Sequence, residues 1–221
     1  MEAFLKCWVY LCVAIAGLAG GWVAAKWRAL PAAKRLSWLF VAFLGVHILE
    51  EYVMPGGFWW AFGTAAGSAN PLAAPLNQLT VMITNLGAML AFCLLAWKWG
   101  ERPFMMLAIV IFSLAQFGIH LAFGIVSMNA CDWMSVPYSP GLANTVFMLL
   151  PLSIACIVRM RKDRMLSGLG AKKAAAQVAI ALVTCALVVG GLIGIPVRLF
   201  GNDLNTPYAF EDAGLYQCEI E

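Results

Sequence analysis

Charge in this chain lies almost entirely outside six long apolar stretches, and that segregation restricts the fold more than any other feature. The apolar stretches lie near residues 7 to 25, 36 to 55, 78 to 97, 104 to 127, 141 to 159 and 175 to 199. Each is about 20 residues, the length of helix that crosses a hydrocarbon layer about 30 Å thick. Backbone polar groups have no water to bond within lipid, so only helices and closed barrels cross it, and continuous rather than alternating apolar runs select helices. Composition agrees: 63% of the 221 residues are hydrophobic and 11% charged, against about 45–50% and about 25% in soluble domains. The expected fold is all-α, a polytopic bundle of about six spans. Residues 1–200 form one membrane domain and 201–221 a short acidic outer tail. The uncharged segment 56–77 has room for a short re-entrant or interfacial helix.

Basic residues orient the bundle. Lys26, Arg28, Lys34 and Arg35 lie between spans 1 and 2, Lys98 and Arg102 between spans 3 and 4, and Arg159, Arg161, Lys162, Arg164, Lys172 and Lys173 between or at the ends of spans 5 and 6. Segments 56–77 and 128–140 contain none. The positive-inside rule makes the basic segments cytoplasmic, so both termini face outward in a cell membrane. Lys6 and Arg198 are the exceptions. The net charge of +3 is absorbed by this orienting role, and no nucleic-acid footprint is present.

Within span 2 the run HILEEY carries His47, Glu50 and Glu51, three ionisable residues where lipid penalises each. Such residues turn to the bundle interior and mark a site. At 100° per residue the three share an arc of about 100°. Counting 1.5 Å per residue from the inner end of each span puts His47 at about 16 Å, Glu50 at about 21 Å and Glu51 at about 22 Å. Asn85 and Gln116 reach about 18 Å and His120 about 24 Å. One polar layer in the outer half, between spans 2, 3 and 4, is the consequence.

The H-I-L-E-E stretch at 47 to 51 resembles the signature of a family of small bacterial integral membrane proteins named for an HXXEE motif. The resemblance extends over about residues 36 to 160, taking in His120 and the Tyr138-Ser139-Pro140-Gly141 turn. It implies that His47, Glu50 and Glu51 are signature residues, and it carries no reaction with it.

Two adjacent carboxylates in a poor dielectric do not both ionise cheaply, so the trio supplies an acid and a base in one pocket. Glu51, one turn from His47, is expected to pair with the imidazole. Glu50 is then the uncommitted carboxyl with a transferable proton. The favoured reading is an intramembrane enzyme doing isomerase, cyclase or hydrolase chemistry on a hydrophobic or lipid-derived substrate. His47, Glu50, Glu51 and His120 are its catalytic candidates. A divalent ion, zinc or iron, held by the same four side chains is the alternative within that reading. A proton-coupled carrier and a non-catalytic partner protein with a structural trio are the other two classes.

Asn85, Gln116, Tyr138, Trp59 and Trp60 are the substrate-binding candidates. For the amides the alternative is ordinary interhelical bonding; for the two tryptophans it is an interfacial aromatic belt. The Gly17/Gly21 and Gly190/Gly194 steps suit close helix packing or a homo-oligomer interface. Membrane lipid and a hydrophobic small molecule are the expected partners. The acidic tail reads as a solvated segment, with a lid over the outer mouth as its alternative. Cys131 and Cys218, both in outer segments, either pair or stay as thiols.

Overall fold

A computed structural model of the chain describes residues 2–131, 134–201 and 203–219. Six helices in it are long and apolar enough to cross a membrane. They are α1 (Glu2–Ala25), α2 (Ala32–Tyr52), α4 (Gln78–Trp99), α5 (Pro103–Ala130), α6 (Leu142–Lys162) and α7 (Ala171–Phe200). The short α3 (Phe58–Ala65) occupies the uncharged segment, and the described residues contain no strand. Local signals explain several ends. Asn77 caps α4 with a reciprocal capping box to Thr80, which satisfies two backbone donors at once. Pro103 opens α5 at a position where its missing N–H costs nothing.

Contacts at one end of the bundle bring the basic segments together. The Ser37 hydroxyl donates to the Gly100 carbonyl (2.8 Å), the Lys34 ammonium donates to the Trp97 carbonyl, and the Phe104 N–H donates to Gln177 Oε1 (3.1 Å). Deeper in the bundle, Phe40, Phe92 and Phe112 lock α2, α4 and α5 edge to face, with centroids 4.7 to 5.4 Å apart. This buried aromatic knot forms the floor beneath the polar layer.

Helix α7 packs against both α4 and α5. Thr84 donates to the Leu192 carbonyl (2.6 Å) and Cys185 to the Ala108 carbonyl (3.4 Å). A wide π-helical turn at Ala186–Gly191 interrupts α7, and a second, Thr145–Leu149, interrupts α6; such turns occur often at functional sites. The small-residue steps serve no packing within the chain: a Cβ at Gly17, Gly21, Gly190 or Gly194 would meet open space.

The C-terminal segment is not a solvated tail. Phe210 stacks on Trp59 at 3.9 Å and Tyr216 on Trp60 at 4.4 Å, while Ala213 and Tyr216 are wholly buried. Backbone bonds fasten it: Gln78 N–H to the Tyr208 carbonyl, Phe210 N–H to Leu72, and Leu215 N–H to Gly56. Apolar burial of four aromatic rings outweighs the solvation of a few acidic side chains, two of which, Glu211 and Asp212, stay exposed. Gly57 makes the crossing feasible. Its φ is +98° and a Cβ there would stand 2.5 Å from the Ala213 carbonyl oxygen. Lys6, an exception to the charge rule, pairs with Glu211 of this segment at 3.1 Å. Trp59 and Trp60 are therefore buried under the tail rather than set in a belt or an open cage. The side chain of Cys218 lies outside the described residues, and with it the Cys131–Cys218 pairing.

Candidate functional site

Three of the four candidate catalytic side chains converge. Glu51 Oε1 lies 3.4 Å from His47 Nε2 and 3.3 Å from His120 Nε2. The two imidazole rings stand edge to face, with centroids 4.9 Å apart. His47 and Glu51 are one turn apart on α2, and α5 brings His120 across from the opposite wall. All three are buried, His120 completely. The i,i+4 pairing of Glu51 with His47 is the one that helix geometry dictates.

His120 is fixed on every side. Phe58 of α3 packs on its ring at 4.9 Å. Ser139 Oγ donates to the His120 carbonyl at 2.8 Å and lies 3.2 Å from Nδ1. A hydroxyl has one proton, and the shorter bond claims it. Nδ1 is then the donor to Ser139, so in the neutral ring Nε2 presents a lone pair to Glu51. Gly141 closes the remaining side, with φ +102° and a Cβ position that would overlap the His120 ring itself. Ser139 and Gly141 form with Tyr138 and Pro140 a turn shaped around one imidazole.

Glu50 does not join the cluster. Its Oε1 accepts from the Tyr138 hydroxyl (2.8 Å) and the Ala143 N–H (3.0 Å), and its Oε2 accepts from the Asn144 N–H (2.6 Å). Ala143 and Asn144 are the second and third residues of α6, whose first N–H groups have no partner inside the helix. A carboxylate from α2 thus caps α6, where the helix dipole favours negative charge. The expectation of an uncommitted Glu50 fails because sequence spacing within α2 gives no sign that a helix from elsewhere starts beside it. Tyr138, a substrate-binding candidate, donates its hydroxyl to Glu50. Burial first, and the Glu50 carboxylate second, push its phenol well above the ordinary tyrosine range, so it stays a donor.

A cavity of about 90 Å³ adjoins the cluster. Glu51 lines it together with Asn85 and Gln116, and its walls are apolar: Leu44, Ala88 and Val188 among them. That volume exceeds what one water needs by several-fold. The π-helical turn of α7 supplies Val188 and Val189, so the wide turn shapes the wall facing α2. Asn85 donates to the Tyr52 hydroxyl (3.1 Å) and to the Val81 carbonyl (2.9 Å), and Gln116 has no side-chain hydrogen bond among the described residues. Neither histidine lines the cavity, so Glu51 is the member of the cluster that faces it. Tyr52, Phe58 and Ser139 are site residues that the sequence reading did not select. Each adjoins a selected residue in sequence or sits in the Tyr138–Gly141 turn, but only the fold reveals what it touches.

A six-helix membrane bundle with a buried His–Glu–His cluster beside an apolar-walled cavity is the class these features define. Residues 38–156 match the family described as "Protein of unknown function with HXXEE motif", and the chain belongs to that family. The match contains the motif at His47 to Glu51, His120 and the Tyr138 to Gly141 turn. No curated protein and no solved structure matches the chain.

Proposed function

We propose that this protein is an intramembrane enzyme acting on a hydrophobic or lipid-derived molecule, with Glu51 as the group that exchanges a proton with it. One observation carries the reading: Glu51 belongs both to the histidine cluster and to the cavity lining. A purely structural Glu–His bridge needs no cavity beside it. Asn85 and Gln116 supply polar contacts in an otherwise apolar space, the usual make-up of a site for an apolar molecule with one polar group. Two imidazoles behind Glu51 can take up or return the proton that it exchanges. His120 Nε2 is directed at the Glu51 carboxylate without a hydrogen of its own, so a proton or a metal ion belongs between them.

The basic segments are placed in the cytoplasm by their charge, which sets the cavity in the outer half of the membrane. Lys6, tied to Glu211, is no obstacle to that orientation.

The protein in nanodiscs, incubated in deuterated water with the total lipid extract of its source membrane, tests the reading. Wild type should convert one lipid class, with a mass change or with deuterium at carbon, and Glu51→Gln should not. Identical lipid profiles from both would overturn it.

A further inference from the structure

We infer that the cluster holds a divalent transition metal ion on His47 Nε2, His120 Nε2 and Glu51 Oε1. The inference rests on the reading of the cluster as the reaction centre. Three observations carry it.

The first is distance. A proton shared between an imidazole and a carboxylate draws the heavy atoms to about 2.7–2.9 Å. Ligands about 2.0–2.1 Å from a tetrahedral ion stand about 3.3–3.4 Å from one another. Here the two nitrogen-to-oxygen separations are 3.4 and 3.3 Å, the spacing of ligands on one ion rather than of a shared proton, and one donor atom from each of His47, Glu51 and His120 belongs to a single buried group. The second is the state of the nitrogens. His47 Nε2 and His120 Nε2 are both buried and face the Glu51 carboxylate without forming a hydrogen bond to it, and His47 Nδ1 is likewise unpartnered, a costly arrangement for polar groups unless something else binds them. Ser139 holds His120 in the tautomer whose Nε2 lone pair points inward, as a residue behind a metal ligand commonly does.

The third is charge. A divalent ion is expensive in a membrane interior unless two negative charges accompany it. Glu51 supplies one as a ligand and Glu50, held at the start of α6, supplies the other from outside the cluster. Two imidazoles and one carboxylate suit zinc and non-haem iron, and three protein ligands leave a position for a reacting molecule. Glu51 directs that position to the cavity. With Oε1 on the ion, its Oε2 remains for proton exchange.

Metal binding is measured apart from turnover. Purified full-length protein is stripped with a chelator, then titrated with zinc, and anaerobically with ferrous iron, while bound metal and melting temperature are followed. Wild type should take up one ion per chain with a rise in melting temperature. Glu51→Gln and His120→Gln should lose that ion, and the remote Glu211→Gln should keep it. Cobalt substitution of the wild type provides a readout that needs no variant: an intense visible spectrum of tetrahedral nitrogen and oxygen coordination is expected. An octahedral aqueous spectrum, or equal uptake by wild type and Glu51→Gln, would overturn the site. Lipid conversion that persists in the metal-free protein would remove the ion and leave the proposed function standing. Stoichiometric metal without lipid conversion would do the reverse.

Discussion

Glu50 of α2 accepts the backbone N–H of Asn144 at 2.6 Å, so the first turn of α6 is capped by a carboxylate 94 residues earlier in the chain. This bond divides the HXXEE motif into two tasks. Glu50 sets the position of the Tyr138–Gly141 turn and α6, and through them Ser139 and His120. Glu51 faces the cavity. Two adjacent glutamates are needed because successive residues of a helix point about 100° apart and can reach two different neighbours.

Replacing Glu50 by Gln should act mainly on stability. Hydrogen bonds to a charged group contribute about 1.5–3 kcal/mol, and an amide keeps one acceptor where the carboxylate has two. A loss of about 1–2 kcal/mol in thermal or denaturant unfolding is expected. Glu51→Gln should show the opposite balance, with turnover lost and, when the metal-free proteins are compared, the smaller change in stability. Equal effects of the two variants on both readouts would contradict the division.

Gly141→Ala should be among the most damaging single changes. The left-handed backbone costs about 1–2 kcal/mol for a residue with a Cβ, and the added carbon overlaps the His120 ring, at about 1–3 kcal/mol for overpacking. Unfolding free energy should fall by about 2–5 kcal/mol. A His120→Ala, Gly141→Ala double variant should recover part of the overpacking cost, because the ring that the methyl meets is gone; a fully additive double variant would count against the contact.

Much of this was legible in the sequence for a physical reason. Lipid admits few backbone solutions, so the six spans and the segregation of basic residues follow from composition alone. The meeting of His47, Glu51 and His120 was legible too, because burying ionisable groups in lipid forces them into one layer. What stayed hidden depends on contacts between distant segments. The capping role of Glu50 requires knowing where α6 starts, and the stacking of Phe210 and Tyr216 on Trp59 and Trp60 requires knowing where the tail returns. Gly141 looked like an ordinary turn residue until His120 was seen against it.

Phe210→Ala should free the tail without dissolving the bundle. It removes the ring stacked 3.9 Å from Trp59, and aromatic pairs contribute about 0.5–1.5 kcal/mol beyond their buried area. Limited proteolysis should then cut within 203–217 at concentrations that leave wild type intact, while helical circular dichroism stays unchanged. Wild-type resistance in the variant would show that the tail is held elsewhere.

The central claim is that a hydrophobic molecule meets Glu51 in the cavity between α2, α4, α5 and α7. Photo-crosslinking with a lipid probe carrying a diazirine on its acyl chain, followed by peptide mapping, tests it most directly. The account predicts labels on lining residues such as Leu44, Val81 and Val188, and their loss in Ala88→Trp, which fills the space. Labels confined to exposed residues such as Leu90, Leu94 and Phe147, unchanged by Ala88→Trp, would contradict it.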